Sequence, residues 1–367
     1  MTKNAGLRTT ALVATLAATA LVAAPRDAAA EFDSVRWQIP MSFASTLTAL
    51  GDTMPWVSEA VSAVSGGEVT LQVMEPGTLI PPLTIFENAS NGNIDAGYSW
   101  MGYERGQVPA SALFGATPFG LDSPGFIAWM YFGEGDQLLK ETFEPYGVYP
   151  ILCGSISPEA SGWFRNEIAS VSDLQGLKFR AAGVGGEIME ELQMSVTLLP
   201  GGELYQALET GVLDATEFSL PTVDEQLGFF QVAKYYYLPG WHQPSTNQFL
   251  YVNIDAWNDL NDQTKALIET TCTAGVTMAM AKAEALQGAV LSRFQEQGVN
   301  LVVWSDDFLD TFWEATQNVM ARLSEEDAQF GKVHDSMRAF QREHAEWYAK
   351  GYLPRDWAFN NIVQDQQ

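Results

Sequence analysis

Two segments of this chain repeat one another 119 residues apart, and that repeat restricts the fold more than any other feature. Residues 85–96 lie over 204–215, with Gly92/Gly211, Asp95/Asp214 and Ala96/Ala215 coinciding. In each copy a short amphipathic run ends at a glycine suited to a left-handed helix cap, then gives way to an apolar strand opening on Asp-Ala. Two similar units so far apart predict two similar lobes. Just past the repeat the copies differ, Gly97-Tyr98-Ser99-Trp100 against Thr216-Glu217-Phe218-Ser219. Ligand contacts in open α/β sheets gather where strands end, so these exits hold candidate site residues.

The surrounding pattern is α/β. Residues 35–40 read as a strand, and 46–65 as a helix with Leu47, Leu50, Met54, Val57, Val61 and Val64 at helical spacing, stopped by Gly66-Gly67. Residues 69–73 read as the next strand, completing a βαβ unit. A second unit opens at 173–180, its helix over 185–193. Beyond Asn253, residues 261–297 carry no proline and only Gly275 and Gly288 as interruptions, and read as one long helix or a broken pair. A strand over 299–304 follows, then helices over 308–350 capped by Ser305-Asp306-Asp307. A chain of 367 residues predicts two domains. No proline-rich linker divides it, so the lobes are expected to interleave along the sequence.

The N-terminus reads as an address. Lys3 and Arg8 precede an uncharged apolar stretch over 11–24, followed by Ala28-Ala29-Ala30, the layout of a cleaved secretory signal peptide over 1–30. The stretch is short for a membrane span. No cysteine adjoins the cut, which argues against a lipid anchor. Losing Lys3, Arg8, Arg26 and Asp27 takes the formal charge from −26 to −28. That acidity argues against nucleic acid and anionic lipid as partners, and export points to a bacterial periplasm. Cys153 and Cys272 are too few for a disulfide framework or a zinc site, and are read as buried thiols, one long-range disulfide being the alternative.

No Walker A, GxSxG, HExxH or dinucleotide motif is present. Gly183-Val184-Gly185-Gly186 lacks the full spacing of a nucleotide loop. His242, His334 and His344 adjoin no candidate nucleophile, and the last two are expected on a solvent-exposed helix face. What remains is one arginine, carboxylates and aromatics at strand ends. Arg180 closes an apolar strand before a glycine-rich turn, where a guanidinium either grips a carboxylate or forms a surface ion pair. Glu217 emerges from a buried strand and needs an arginine, a metal or water. Glu159 is a third candidate. Trp241 and Gln243 lie in an aromatic loop after Tyr235-Tyr236-Tyr237-Leu238-Pro239-Gly240. Two glutamates facing an anionic ligand repel it, by about 4 kcal/mol per pair at 4 Å and an effective dielectric near 20. Either a cation lies between them or one is protonated.

Gly176-Leu177-Lys178-Phe179-Arg180, Leu199-Pro200-Gly201-Gly202-Glu203-Leu204-Tyr205-Gln206-Ala207-Leu208-Glu209, Gly211-Val212-Leu213-Asp214-Ala215-Thr216-Glu217 and the run from Leu227 to Trp241 resemble the DctP-type solute-binding proteins of TRAP transporters. Within that family the chain looks most similar to the branch that binds 2-oxo and 2-hydroxy monocarboxylates. The resemblance implies an α/β, type II-like periplasmic binding protein of two interleaved lobes joined by a hinge, with a long helix crossing both. It implies lobe 1 over 31–154, completed by about 246–285, lobe 2 over 155–245, completed by about 286–330, and a C-terminal helical segment over 331–367. It further implies a non-enzyme that delivers a small organic acid to TRAP membrane permease subunits, as monomer or homodimer. Arg180 would clamp the ligand's carboxylate, and Tyr98, Trp100 and Trp241 would wall the cleft. Glu159, Glu217, the Phe218 carbonyl and Gln243 would hold a Na⁺ or Ca²⁺ ion, with no organic cofactor. The branch typically carries Gln at the position of Glu159 and Glu at that of Gln243, so the carboxylate count is kept while the positions trade. Its usual Trp is replaced by Phe218. The rivals are a dicarboxylate receptor, a receptor reporting to a membrane sensor, and an exported enzyme using Glu159 and Glu217 as acid and base.

Overall fold

β1 (Val35–Pro40) and β2 (Val69–Met74) pair in parallel across α1 (Thr53–Val64), so the first βαβ unit forms as its alternation predicts. The computed structural model describes residues 1–2 and 31–358. The signal peptide expected over 1–30 lies, but for its first two residues, outside them. α1 begins later than the helix expected from residue 46. Proline is tolerated only in a helix's first turn, since deeper in its ring meets the carbonyl four residues back, and Pro55 therefore fixes the start. Upstream, Ala49 is left-handed at φ 62°, and residues 46–52 form turns that still bury Leu47 and Leu50.

The chain continues through α2 (Ile85–Ser90), β3 (Ala96–Trp100), α3 (Ser111–Gly115), α4 (Ser123–Phe132), α5 (Gly135–Phe143) and β4 (Val148–Ile156). Next come β5 (Gly162–Phe164), β6 (Lys178–Arg180), α6 (Gly183–Glu191), β7 (Ser195–Thr197), α7 (Leu204–Glu209), β8 (Ala215–Thr216), α8 (Pro221–Leu227) and β9 (Tyr235–Leu238). Last are β10 (Thr246–Asn253), α9 (Ile254–Asn258), α10 (Asp262–Glu296), β11 (Asn300–Val303), α11 (Asp306–Glu326), α12 (Ala328–Gly351) and α13 (Arg355–Ala358).

The strands divide into two groups. β3-β10-β4 form an antiparallel sheet, tied to the β1-β2 pair by a bridge from Met41 to Tyr98. The other sheet runs β11-β9-β5-β8-β6-β7. β10 returns to the first lobe after β5–β9 have built the second, and β11 returns to the second, so the lobes interleave. The repeat occupies equivalent places: α2 leads to β3 in one lobe and α7 to β8 in the other, with Gly92 and Gly211 at φ 69° and 75°.

α10 is a single helix of 35 residues, about 52 Å long. Leu267, Ile268, Cys272, Val276, Ala279, Ala283, Val290 and Phe294 give it one buried stripe. That stripe packs on α1 and β4 of the first lobe, then on α8 and β11 of the second. Cys153 of β4 and Cys272 of α10 form a disulfide, which corrects the reading of two free thiols. A strand and a helix packed face to face bring the two sulfurs together, although 119 residues separate them in sequence.

Ser305 stands at the N-cap of α11, but its side chain accepts no capping bond. Asp306 and Asp307 complement the helix dipole instead. α11 and α12 part at Asp327, whose side chain caps α12 by accepting from the Phe330 N–H. His334 and His344 on α12 are half-buried against the rings of Phe330 and Phe340, not free in solvent as expected. Among the described residues no helix is long and apolar enough to cross a membrane.

Candidate functional site

Two connections cross between the lobes side by side, 157–161 from β4 to β5 and 239–245 from β9 to β10. Glu159 N–H donates to the Gln243 carbonyl at 3.2 Å, and Gly240 N–H donates to the Glu159 carbonyl at 2.9 Å. Each crossing thereby orders the other, and each carries a polar side chain to the ends of β6 and β8. β6 and β8 pair in parallel inside the sheet, Arg180 opposite Thr216, which sets Arg180 and Glu217 next to one another where the two strands end.

Arg180 is 1 % exposed. Its Nη1 donates to Glu217 Oε1 at 2.8 Å and to the Glu217 carbonyl at 3.1 Å, and its Nε donates to the Leu199 carbonyl at 3.1 Å. The Phe218 ring lies under the guanidinium, 5.3 Å from it. Glu217 Oε1 also accepts from the Ala182 N–H, and the His242 ring nitrogen Nε2 stands 3.7 Å from Oε2. Burial pushes the Glu217 carboxyl up, but Arg180, aided by His242, outweighs it and holds the group below the ordinary carboxylate range.

Glu159 behaves oppositely. It is equally buried, and burial, reinforced by the charge of Glu217, pushes its pKa well above the usual range. Thr246 Oγ1 donates to its Oε1 at 2.8 Å. With its amide nitrogen turned inward, Gln243 donates to Glu159 Oε2 and to Thr246 Oγ1, both at 2.8 Å. Of the two glutamates, Glu217 is held ionised and Glu159 is pressed toward the neutral acid.

The first lobe covers this group. The Trp100 ring packs so closely on the start of α6 that a Cβ on Gly183 would stand 2.9 Å from it. Tyr103 meets Trp100 edge to face, with ring centroids 5.1 Å apart. Burial pushes the Tyr103 hydroxyl up to about 12, while Arg180 pulls it back and Glu217 and Glu159 add to the rise, so Tyr103 lies within the field of all three. Tyr98 is buried in β3 with its hydroxyl toward the Leu50 carbonyl, and Trp241 stacks between Phe119 and Phe312. Of the aromatic residues expected to wall the cleft, Trp100 meets the second lobe directly, whereas Tyr98 and Trp241 pack within the hydrophobic core.

Neither His242 nor Tyr103 is marked by a motif. His242 adjoins no candidate nucleophile, and only its place between Trp241 and Gln243 in the aromatic loop signals it. Tyr103 follows β3 by three residues. The donor set fits a cation: ligand atoms of Glu159, Glu217 and His242 all lie within 4.8 Å of one another. Arg180 Nη2, Glu217 Oε2 and both His242 ring nitrogens are buried with no hydrogen-bond partner among the described residues. Buried polar groups are ordinarily paired, and several orphans converging on one point mark a place built for a polar ligand.

The sequence model of the bacterial extracellular solute-binding proteins, family 7, matches residues 42–327. The monocarboxylate 2-oxoacid-binding periplasmic protein of Nostoc sp. is 33 % identical over 344 residues, covering 92 % of this chain and 93 % of its own. A TRAP transporter solute-binding protein from Bordetella bronchiseptica, solved with calcium and picolinate, superposes with a TM-score of 0.86 at 28 % identity, covering 91 % of this chain and 98 % of that one. One from Pseudoalteromonas atlantica, solved with sodium and pyruvate, gives 0.84 at 27 % identity, covering 90 % and 99 %. The matched length, the two-lobed fold and the buried polar site agree: the chain belongs to the family 7 extracellular solute-binding proteins, the DctP-type receptors of TRAP transporters.

Proposed function

We propose that this receptor captures a small 2-oxo or 2-hydroxy monocarboxylate together with a calcium or sodium ion, and hands the acid to the TRAP membrane permease. It does so in the periplasm, as a monomer or homodimer, after residues 1–30 are removed as a signal peptide. The observation that carries this reading is the Arg180 guanidinium. It is buried, oriented by two backbone carbonyls and by Glu217, and left with one unpartnered Nη2. An arginine fixed in this way offers a carboxylate a charge-assisted hydrogen bond with no side-chain entropy left to lose.

Charge balance supplies the second component. Glu217, an ionised Glu159 and the ligand carboxylate bring three negative charges against one arginine. A divalent cation would restore neutrality, held by Glu159 and Glu217 with the Phe218 carbonyl and, its amide turned to present oxygen, Gln243 in support. When bound, it would supply the positive charge that offsets the two glutamates and attracts an organic acid. The titration of Glu159 agrees with this, since an acid held neutral by burial and by a like charge is one that a cation would ionise.

Calorimetry of metal-stripped protein tests the reading. Pyruvate with Ca²⁺ is expected to bind, pyruvate alone to bind at least about tenfold more weakly, and Arg180→Ala to abolish binding in a chain that circular dichroism shows still folded, its ligand-free melting temperature lowered because Glu217 loses its buried partner. Survival of affinity in Arg180→Ala would refute the site. Indifference of wild-type binding to every added cation would remove the metal.

A further inference from the structure

Thr46 and Thr48 stand in the turns between β1 and α1, in the first lobe, while Gln226 stands near the end of α8, in the second. Because these turns replace a helix, the Thr46 carbonyl and the Thr48 N–H have no helical partners. Gln226 takes both: Oε1 accepts from the Thr48 N–H at 3.0 Å, and Nε2 donates to the Thr46 carbonyl at 3.0 Å. A primary amide here does the work of a neighbouring strand, pairing each way with one stretch of backbone. A second contact joins the lobes elsewhere. Arg105, just after β3, pairs with Glu187 on α6, and Glu187 also receives Arg322 of α11.

We infer that Gln226, seconded by Arg105, sets this receptor's affinity by holding the lobes closed and not by touching the ligand. The inference rests on the reading of the chain as a receptor that closes on its solute. Ligand affinity in such a receptor is the intrinsic affinity scaled by the closed fraction. Both Gln226 bonds require the lobes to be together, so they raise that fraction and slow release. Gln226 belongs to no part of the site around Arg180, Glu217 and Glu159. The amide is also the side chain that fits, because a glutamate could accept from Thr48 but would set a carboxylate against the Thr46 carbonyl.

The test compares wild type with Gln226→Ala, Gln226→Glu and Arg105→Ala, in the full mature chain, using pyruvate with Ca²⁺ as probe. Stopped-flow release from either Gln226 variant is expected to quicken about 3- to 10-fold, as loss of one or two modest hydrogen bonds implies. Arg105→Ala is expected to act in the same direction, and the ratio of pyruvate to lactate affinity to stay at its wild-type value. Hydrogen exchange at the Thr48 amide is expected to quicken in Gln226→Ala with and without ligand. Unchanged release together with unchanged Thr48 exchange overturns the inference, and so does a shifted affinity ratio, which would put Gln226 against the ligand. If wild type takes up no pyruvate, the proposed ligand class falls alone. Thr48 exchange in the ligand-free chain then decides this inference, faster exchange in Gln226→Ala supporting it and equal exchange overturning it.

Discussion

Glu159 and Glu217 carry the same side chain at nearly the same burial and titrate in opposite directions, because only one of them touches a guanidinium. This division of labour makes Glu159 the group whose charge a bound cation would control. Glu159→Gln is therefore expected to weaken Ca²⁺ binding on the order of tenfold or more, since a carboxylate ligand is lost. Adding Gln243→Glu to it is expected to recover most of that loss by restoring the count from the neighbouring crossing. Calorimetric Ca²⁺ titration of the single and double variants checks both, and undiminished affinity in Glu159→Gln would exclude the carboxylate from the ion's shell. The pairing of Arg180 with Glu217 was half readable in advance. Each stood at the exit of an apolar strand, where a charge needs a partner, but only the register of β6 on β8 makes them partners of one another. His242 was unreadable for a related reason. Its importance comes from the crossing that lays 239–245 alongside 157–161, and sequence spacing does not encode that contact.

Two glycines of α10 look alike in sequence and differ in the packed helix. Gly275 faces β4, where an added Cβ would stand 2.8 Å from the Cys153 carbonyl and 2.8 Å from a Val57 methyl. Gly288 is exposed, with nothing within 4 Å of the corresponding point. The same substitution should thus act with opposite sign in one helix. Gly288→Ala is expected to stabilise by about 1 kcal/mol through helix propensity. Gly275→Ala is expected to cost about 1–3 kcal/mol, because it forces the helix off the strand it is bonded to. Chemical denaturation of the two variants decides the matter, and a destabilising Gly288→Ala or a neutral Gly275→Ala would contradict the packing described. The same contact explains why the sequence leaves the disulfide as only the alternative to two thiols. The helix was legible from its composition, and so was β4, but two cysteines 119 residues apart carry no sign that the glycine one turn beyond Cys272 lets their elements meet.

Across the whole molecule each lobe buries one further acid besides Glu159 and Glu217. Glu104, after β3, and Asp224, on α8, are both pushed up to about 8 by burial, against weaker opposing pulls from Tyr251 on the first and from Trp163 and Tyr236 on the second. In the unfolded chain both titrate near 4. A folded pKa above the unfolded one means the native state holds the proton more tightly, so the stability it contributes is complete below about pH 4 and declines as pH rises toward 8. Glu159 acts in the same sense. Glu217, with a lowered pKa, has contributed fully by about pH 5 and stays constant above it. His334, lowered by burial, opposes the decline near its own titration, as one group against three. The ligand-free, metal-stripped receptor is therefore expected to lose stability steadily from pH 5 to 8, by at most about 1.4 kcal/mol per pH unit for each of these acids. Asp224→Asn and Glu104→Gln should each flatten the slope. Differential scanning calorimetry across that window provides the check: a melting temperature that holds level or rises toward pH 8 would mean these acids are ionised in the folded chain, with cations or water that the packing around them gives no reason to expect.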